Sequence, residues 1–393
     1  MARFPKKLQE KLTRRDAKNA IRHLPTATDL IDLSSNDYLG FSGNREIFDG
    51  AGRLLSQNDA LHNGATGSRL LSGNHPLYAK LEEKLSEFHG SESALVFNSG
   101  YDANIGFFGC VPQRGDIVFY DEYVHASIRD GIKMGNAKSY KFGHNDLEDV
   151  KLKCQKLIGG TGEDKAQSLS DAEVYIVTES IFSMDGDSPD LTAFAEFCQR
   201  NGYHLVVDEA HAVGVFGKKG EGLGQHVSLQ NGIFARIITF GKALGCHGAT
   251  ILGSTDLKKY LVNFARSLIY TTGLPPHSVA TVLSAYEYLS AHSGPRERLQ
   301  GNVLFFKRRM DENHLTSYFI SSDSAIHSCV IPGNERAIGA AERLQGAGFD
   351  VRPILAPTVP EGLERLRICL HSFNTEKEIG EMLTLLSEAI TSQ

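Results

Sequence analysis

Short β-rich runs alternating with helix-period segments through the middle of the chain are the feature that most restricts its fold. The runs SALVFN (93–98), DIVFY (116–120), EVYIVTE (173–179), HLVVDE (204–209) and RIITF (236–240) are rich in Val, Ile and aromatic residues, the types that suit a pleated, buried surface. With helix-forming stretches between them, they predict a doubly wound α/β sheet covered by helices on both faces. One such stretch, HPLYAKLEEKLSEFHG, sets Leu77, Leu81, Leu85 and Phe88 on one helical face, and Gly90 ends it, since a residue without a Cβ enters the left-handed region freely. At 393 residues, 41% of them hydrophobic, the chain has enough material for one large domain and a smaller one.

A boundary is expected at GLPPHS, where two consecutive prolines end the sheet region and a helical segment, SVATVLSAYEYLSAH, begins. Beyond it, IHSCVIP, FDVRPIL and RLRICLH read as strands, and RAIGAAERLQGAG and TEKEIGEMLTLLSEAI as helices, which together make a smaller α+β unit. The resulting division is an N-terminal segment 1–45, a large domain 46–276 and a small domain 277–393. The polar, Gly-containing stretch Ile158 to Ala172 reads as a surface loop, because strands of the same sheet pattern flank it.

Composition narrows the class of partner. A net charge of -6 offers no electrostatic footprint for a polyanion. The six cysteines are scattered without a C-x-x-C pair, so neither a disulfide framework nor a zinc site is expected. No apolar run approaches the roughly 18 residues of a membrane span. The N-terminal MARFPKKLQEKLTRRDAKNAIRHL is basic and helical in pattern, but Glu10 and Asp16 interrupt it and it has no apolar signal core. A cytoplasmic protein is expected, with no metal, no nucleic acid and no membrane partner.

LVVDEAHAVG (205–214) admits two readings. Asp-Glu-Ala-His after an apolar run spells the metal-holding box of ATP-driven nucleic-acid motors, but such a motor also needs G-x-x-x-x-G-K-[ST] to cradle phosphates. FGKKGEG and FGKALG carry glycines and lysines in the wrong order, and GKKGEGLG fails the dinucleotide spacing. The second reading draws on IITFGKALGCHGATILGS, where Lys242 follows a β run among Gly241, Gly245 and Gly248. These glycines leave room for a flat ring. A lysine so placed can form a Schiff base with an aldehyde cofactor, and pyridoxal phosphate then calls for a carboxylate at its ring nitrogen, for which Asp208 is the candidate. Singly, an Asp at a strand end is more often a cap, and a Lys among glycines a solvated loop residue. In order, after two strands of one sheet, they favour the cofactor.

SSNDYLG, NSGYDAN, DEYVHAS, FSMDGDSPDL, VVDEAHAVGVFG, TFGKALG, FARSLIYTTGLPP and APTVPEGLERLRICLH stand in the order and approximate spacing of the α-oxoamine synthases, which the chain resembles from about Arg22 to its C-terminal strands. That resemblance implies fold type I of the pyridoxal-phosphate enzymes: a large domain with a mostly parallel seven-stranded sheet flanked by helices, and a smaller α+β C-terminal domain. It also implies a homodimer with active sites at the subunit interface. The implied reaction is an acyl transfer, the decarboxylative condensation of L-alanine with a pimeloyl thioester, on coenzyme A or acyl carrier protein, in biotin biosynthesis. A sister synthase using glycine or serine with another acyl-CoA is the second reading, and a non-catalytic or nucleic-acid-linked DEAH role a distant third.

Carried over motif by motif, the resemblance makes Lys242 the Schiff-base lysine and the base for the amino-acid α-proton. Asp208 pairs with the ring nitrogen, His211 donates to the phenolic oxygen, and His125 stacks on the ring and touches the substrate carboxylate. Gly100 and Tyr101 begin a helix that binds the phosphate. Ser183 and Thr239 supply hydroxyls toward the cofactor, and Thr272 reaches the phosphate of the other subunit. Asn36 and Arg367 recognise the substrate carboxylate, with Arg22 and Thr358 as further substrate contacts. In RLRICLH, Leu366, Ile368 and Leu370 alternate with Arg365, Arg367 and Cys369, so Arg367 is expected to reach a cleft without entering the core.

Overall fold

The computed structural model describes residues 4–17, 21, 24, 29–157 and 172–391, so Arg22 and all but the last residue of the expected loop Ile158 to Ala172 lie outside the described residues. The strands are β1 (Ile31–Asp32), β2 (Ser93–Phe97), β3 (Ile117–Asp121), β4 (Lys138–Phe142), β5 (Val174–Glu179), β6 (His204–Asp208), β7 (Ala235–Thr239), β8 (Ala249–Gly253), β9 (Ile326–Val330), β10 (Phe349–Asp350), β11 (Arg352–Ile354) and β12 (Arg365–Cys369). Seven of them form one sheet in the order β2-β8-β7-β6-β5-β3-β4. Only β8 runs against its neighbours.

All five expected runs are strands of this sheet. Their near-continuous apolar character follows from burial on both faces. The two others have weaker signatures: β4, KSYKF, is an edge strand with mostly exposed side chains, and β8, ATILG, is a short run set among glycines. From the β4 edge the chain crosses back to place β5 on the other side of β3. At such a reversal the helices on either side diverge, and a crevice opens outside the carboxyl ends of the strands.

Leu95, Phe97, Val206 and Ile237 pack on one face of the sheet with Phe107 of α4 (Gly100–Phe108) and Ile128 of α5 (Ala126–Met134). Ile117, Phe119, Ile176, Leu205 and Val207 pack with Phe194 on the other. A third cluster runs without a break from Tyr38 through Leu81, Phe240 and Tyr286 to Phe306, Ile368 and Leu386. Leu77, Leu81 and Leu85 are buried as expected on the helix Leu77–His89, while Phe88 is half-buried and Gly90 caps the helix at φ 58°. The helix Pro276–Ala291 starts at the second proline of GLPPHS and packs on the helix Arg45–Gln57. β9, β11 and β12 form an antiparallel sheet in the order β11-β12-β9, and β1 pairs with β10 in parallel. Among the described residues, no helix is long and apolar enough to cross a membrane.

The Glu of Asp-Glu-Ala-His is part of this framework. Glu209 and Arg236 form an ion pair with side chains 0% and 3% exposed. Glu209 also accepts from the Gly224 N–H at 2.8 Å, and Arg236 donates to the carbonyls of His89 at 3.1 Å and Glu221 at 2.8 Å. Every arm of the pair is therefore matched, as burial of charge demands. Arg236→Ala leaves the Glu209 carboxylate buried without its cation and is expected to cost about 3–5 kcal/mol. Urea unfolding checks this: a fall in midpoint at constant slope is expected, and a loss below about 1 kcal/mol would show that the pair is not holding the sheet.

Candidate active site

The crevice is built from strand ends. β5 ends at Glu179, β6 at Asp208 and β7 at Thr239, while His125 follows β3, and Gly100 follows β2. With Lys242 these residues line one cavity of about 190 Å³.

Lys242 is delivered by a tight turn after β7. The Cys246 N–H donates to the Phe240 carbonyl at 2.8 Å, the Gly245 N–H to that of Lys242 at 2.8 Å, and the Phe240 N–H to that of Gly248 at 2.9 Å. Gly245 sits at φ 59°, and a Cβ there would overlap the Ser42 backbone nitrogen. Burial lowers the Lys242 pKa, and the Arg367 guanidinium adds to the effect. The opposing pull of Asp208 and Glu179 does not reverse it.

Asp208 is 6% exposed and held at both oxygens, by Asn104 Nδ2 at 2.9 Å and the Ala210 N–H at 2.9 Å. Burial raises its pKa despite these donors, so the carboxylate gains from any cation brought to it. Glu179 lies beside it in register across β5 and β6. Burial and the Asp208 charge push Glu179 well above the usual carboxylate range, although it accepts from the His125 N–H at 2.5 Å. Two adjacent buried carboxyls oppose one another's ionisation, and Glu179 is the one driven further up.

His125 is the N-cap of α5: its Nδ1 accepts from the Ser127 N–H at 3.2 Å and lies 2.7 Å from the Ser127 hydroxyl. That leaves the proton of the neutral ring on Nε2. Partial burial lowers its pKa against the attraction of Asp208. Asn104 closes the chain by donating to Ser127 Oγ at 3.0 Å as well as to Asp208. His211 is buried, its pKa driven well down by desolvation and by the positive charges of Lys242 and Arg367, so its imidazole is neutral near pH 7. Its Nδ1 is 2.7 Å from the Tyr38 hydroxyl, which is also 3.0 Å from Asn36 Oδ1.

Arg367 and Asn36 meet. The guanidinium donates to Asn36 Oδ1 at 2.9 Å, to the Ser183 carbonyl at 2.6 Å and toward the Ser34 carbonyl at 3.5 Å. β12 is buried on both sides, so Arg367 is 8% exposed, and its side of the strand is interior rather than open. Ser183 takes part through its carbonyl, and with Thr358 it lines an adjoining cavity of about 220 Å³ that shares His125. Thr239 Oγ1 donates to the Gly248 carbonyl at 3.3 Å, and Thr272 is exposed, its carbonyl accepting from Asn98 Nδ2 at 2.6 Å. At the start of α4, Ser99 caps the Asp102 N–H at 3.0 Å. The N–H groups of Gly100 and Tyr101 have no acceptor among the described residues, and the Tyr101 hydroxyl turns away to Asp130 at 2.7 Å.

Sequence reasoning did not single out Tyr38, Asn104, Ser127 or Glu179. Tyr38, Asn104 and Ser127 stand within SSNDYLG, NSGYDAN and DEYVHAS, and Glu179 ends EVYIVTE, so the signal lay beside residues already singled out.

Near the His125 end, His144 is clamped between Asp121 at 3.0 Å and Asp187 at 2.8 Å. With Asp185 it makes a His/Asp/Asp grouping of the kind that can hold a metal. Both ring nitrogens are engaged by carboxylates, however, and Asp185 is paired with Arg365, which suits an imidazolium instead. Burial works against the charge, but the two carboxylates prevail and raise the His144 pKa to about 10. A raised folded-state pKa contributes stability that is fully present below the unfolded value of 6.5 and is lost as pH climbs through 10. Chemical unfolding from pH 6 to pH 10 is therefore expected to show falling stability that is flatter in His144→Gln; identical slopes would remove this role.

The chain belongs to the aminotransferase class I and II family, whose model matches residues 28–386. Within that family it is an α-oxoamine synthase of fold type I. It is 39% identical to an 8-amino-7-oxononanoate synthase of Emericella nidulans over 97% of this chain and 94% of that protein. Among solved structures it is similar to the 8-amino-7-oxononanoate synthase of Francisella tularensis, with TM-score 0.76 and 28% identity over 92% of this chain and 98% of that one. It is also similar to serine palmitoyltransferase with bound pyridoxal phosphate, with TM-score 0.83 and 28% identity over 93% and 88%.

Proposed function

We propose that the protein is a pyridoxal-phosphate-dependent acyltransferase that condenses L-alanine with a pimeloyl thioester, releasing carbon dioxide and the thiol and forming 8-amino-7-oxononanoate for biotin biosynthesis. The observation that carries this reading is the convergence of Lys242, Asp208, His211 and His125 on one cavity at the carboxyl ends of the sheet. Relatives bearing the synthase name over nearly the whole chain support it.

The residues fit the cofactor. Asp208, fixed by two donors and raised by burial, suits a protonated ring nitrogen. The two unclaimed N–H groups at the start of α4 suit a phosphate, with Thr239 beside them in the cavity wall. His125 offers a flat face and His211 a neutral ring. Bound pyridoxal phosphate supplies an electron sink for the carbon next to the amino-acid nitrogen.

Burial lowers the Lys242 pKa, which favours the neutral amine needed for attachment and for accepting the alanine α-proton. Arg367 and Asn36 hold the alanine carboxylate, leaving the α C–H bond free to align with the ring system. The α-carbon then bonds to the thioester carbonyl carbon as the thiolate departs and takes a proton from solvent, the carboxylate held by Arg367 leaves as carbon dioxide, and Lys242 returns its proton to the α-carbon. Arg22 and Thr358 complete the substrate side of this reading, and Ser183 its cofactor side. Thr272 belongs to a homodimer in which it meets the partner's phosphate site, and the exposed Leu71 and Tyr270 offer apolar surface for such an assembly. The large and small domains meet at residue 276 in this reading, and the enzyme works in the cytoplasm.

Purified protein is expected to show a cofactor absorbance band at the edge of the visible range that is lost in Lys242→Ala along with all turnover. A colourless wild type that does not bind pyridoxal phosphate sinks the proposal. Crossing alanine, glycine and serine against pimeloyl, acetyl and palmitoyl thioesters in a free-thiol assay should give the highest kcat/KM for alanine with the pimeloyl donor. Activity confined to glycine with acetyl-CoA, or serine with palmitoyl-CoA, assigns the chain to a sister synthase. Arg367→Ala is expected to raise the alanine KM by a factor equivalent to roughly 2–3 kcal/mol, with Arg367→Lys recovering only part. An unchanged alanine KM would place the carboxylate elsewhere.

A further inference from the structure

The cavity that shares His125 with the Lys242 site also shares Tyr123, Arg129 and Thr358 with an outer cleft of about 1040 Å³. His125 is the one residue that lines both inner cavities, and the outer two share a wall, so the three spaces adjoin as a passage running outward from Lys242. Arg129 stands where its two outer parts meet. It lies on α5 four residues after His125, on the same helical face and one turn, about 5.4 Å, further along.

The charges lining this passage are otherwise largely accounted for. Arg365 is paired with Asp185, and Glu122 faces Lys141 at 3.6 Å. Glu364 accepts from the N–H groups of Gly333 at 2.8 Å and Gly362 at 3.0 Å. Glu361 lines the outer cleft only. Among the described residues, the Arg129 guanidinium has no hydrogen-bond or ion-pair partner, although it lines both outer parts of the passage. An unmatched guanidinium fork facing a cleft is a receptor for a planar oxyanion.

We propose that Arg129 reads the far carboxylate of a dicarboxylic acyl donor and so sets the acyl-chain specificity of the site. This rests on the acyltransferase reading above. With the thioester carbon near His125, a carboxylate several carbon–carbon bonds along the chain reaches about one helical turn away, where Arg129 is. A phosphate at the end of a pantetheine arm lies much further from the reacting carbon. A monocarboxylic chain of equal length would set a methyl group against the guanidinium, desolvating the charge without giving it a partner.

The test is steady-state kinetics of the holoenzyme with L-alanine and either pimeloyl-CoA or heptanoyl-CoA, which lacks the far carboxylate. The wild type should prefer the pimeloyl donor. Arg129→Ala is expected to raise the pimeloyl-CoA KM roughly 10- to 100-fold, with Arg129→Lys intermediate, while the KM for alanine and the cofactor absorbance stay as in the wild type and the KM for heptanoyl-CoA does not rise. An unchanged pimeloyl-CoA KM overturns the proposal. So does an equal penalty on both donors, which would move the contact to the coenzyme A phosphates, and so does a preference that survives in Arg129→Ala but disappears in Arg22→Ala. A wild type that turns over no amino acid with any acyl thioester instead fails the acyltransferase reading itself, before any variant is compared.

Discussion

A buried carboxylate is the constraint to which the rest of this site answers. Asp208 stands at the end of a central strand, away from water, and the two donors that orient it are neutral. Desolvation makes its charge costly unless a cation is supplied nearby. The elements around it are arranged so that the supply has to come from within the cavity. Asn104 locks one oxygen and links through Ser127 to the ring of His125. Glu179, in the next strand, is pushed well above the usual carboxylate range by burial and the Asp208 charge, so it competes less for the same cation. Lys242 approaches from the following strand end, under pressure from burial and from Arg367 to shed its proton.

The segment Asp-Glu-Ala-His shows how one short string divides between two jobs. Strand alternation points Asp208 and Glu209 to opposite sides. Asp208 faces the cavity, while Glu209 goes into the framework and meets Arg236. His211, past the strand end, turns back to the cavity wall and to Tyr38. A nucleotide-driven motor would require both acids at a metal. Here they are separated by the sheet itself.

Much of the fold was legible because buried parallel strands must be apolar on both faces, and five of the seven central strands advertise that directly. The edge strand Lys138–Phe142 did not, since an exposed edge is free to be polar. Lys242 and Asp208 could be paired from their places at successive strand ends, whereas the roles of the other site residues rested on family likeness. The network around them was harder to see. Asn104 meets Asp208 across 104 residues of chain, and Tyr38 meets His211 across 173, separations at which local pattern carries no information. The alternation of RLRICLH correctly set Arg367 opposite Leu366 and Ile368. Alternation could not reveal that both faces are covered.

The stitching of residues 33–40 to the last strand bears on how the chain acquires its structure during synthesis. The Leu33 carbonyl accepts from the Cys369 N–H and the Tyr38 carbonyl from the Ser372 N–H, each at 2.8 Å, while Asn36 meets Arg367 across 331 residues. A ribosome releases the N-terminal partner of each pair long before the C-terminal one exists. The sheet from β2 to β8 can form in the meantime, but the wall carrying Asn36 and Tyr38 has nothing to dock on until the final strand emerges. Closure of the site is thus one of the last events in the life of the nascent chain, and it carries the large loop-closure entropy that slows long-range pairing.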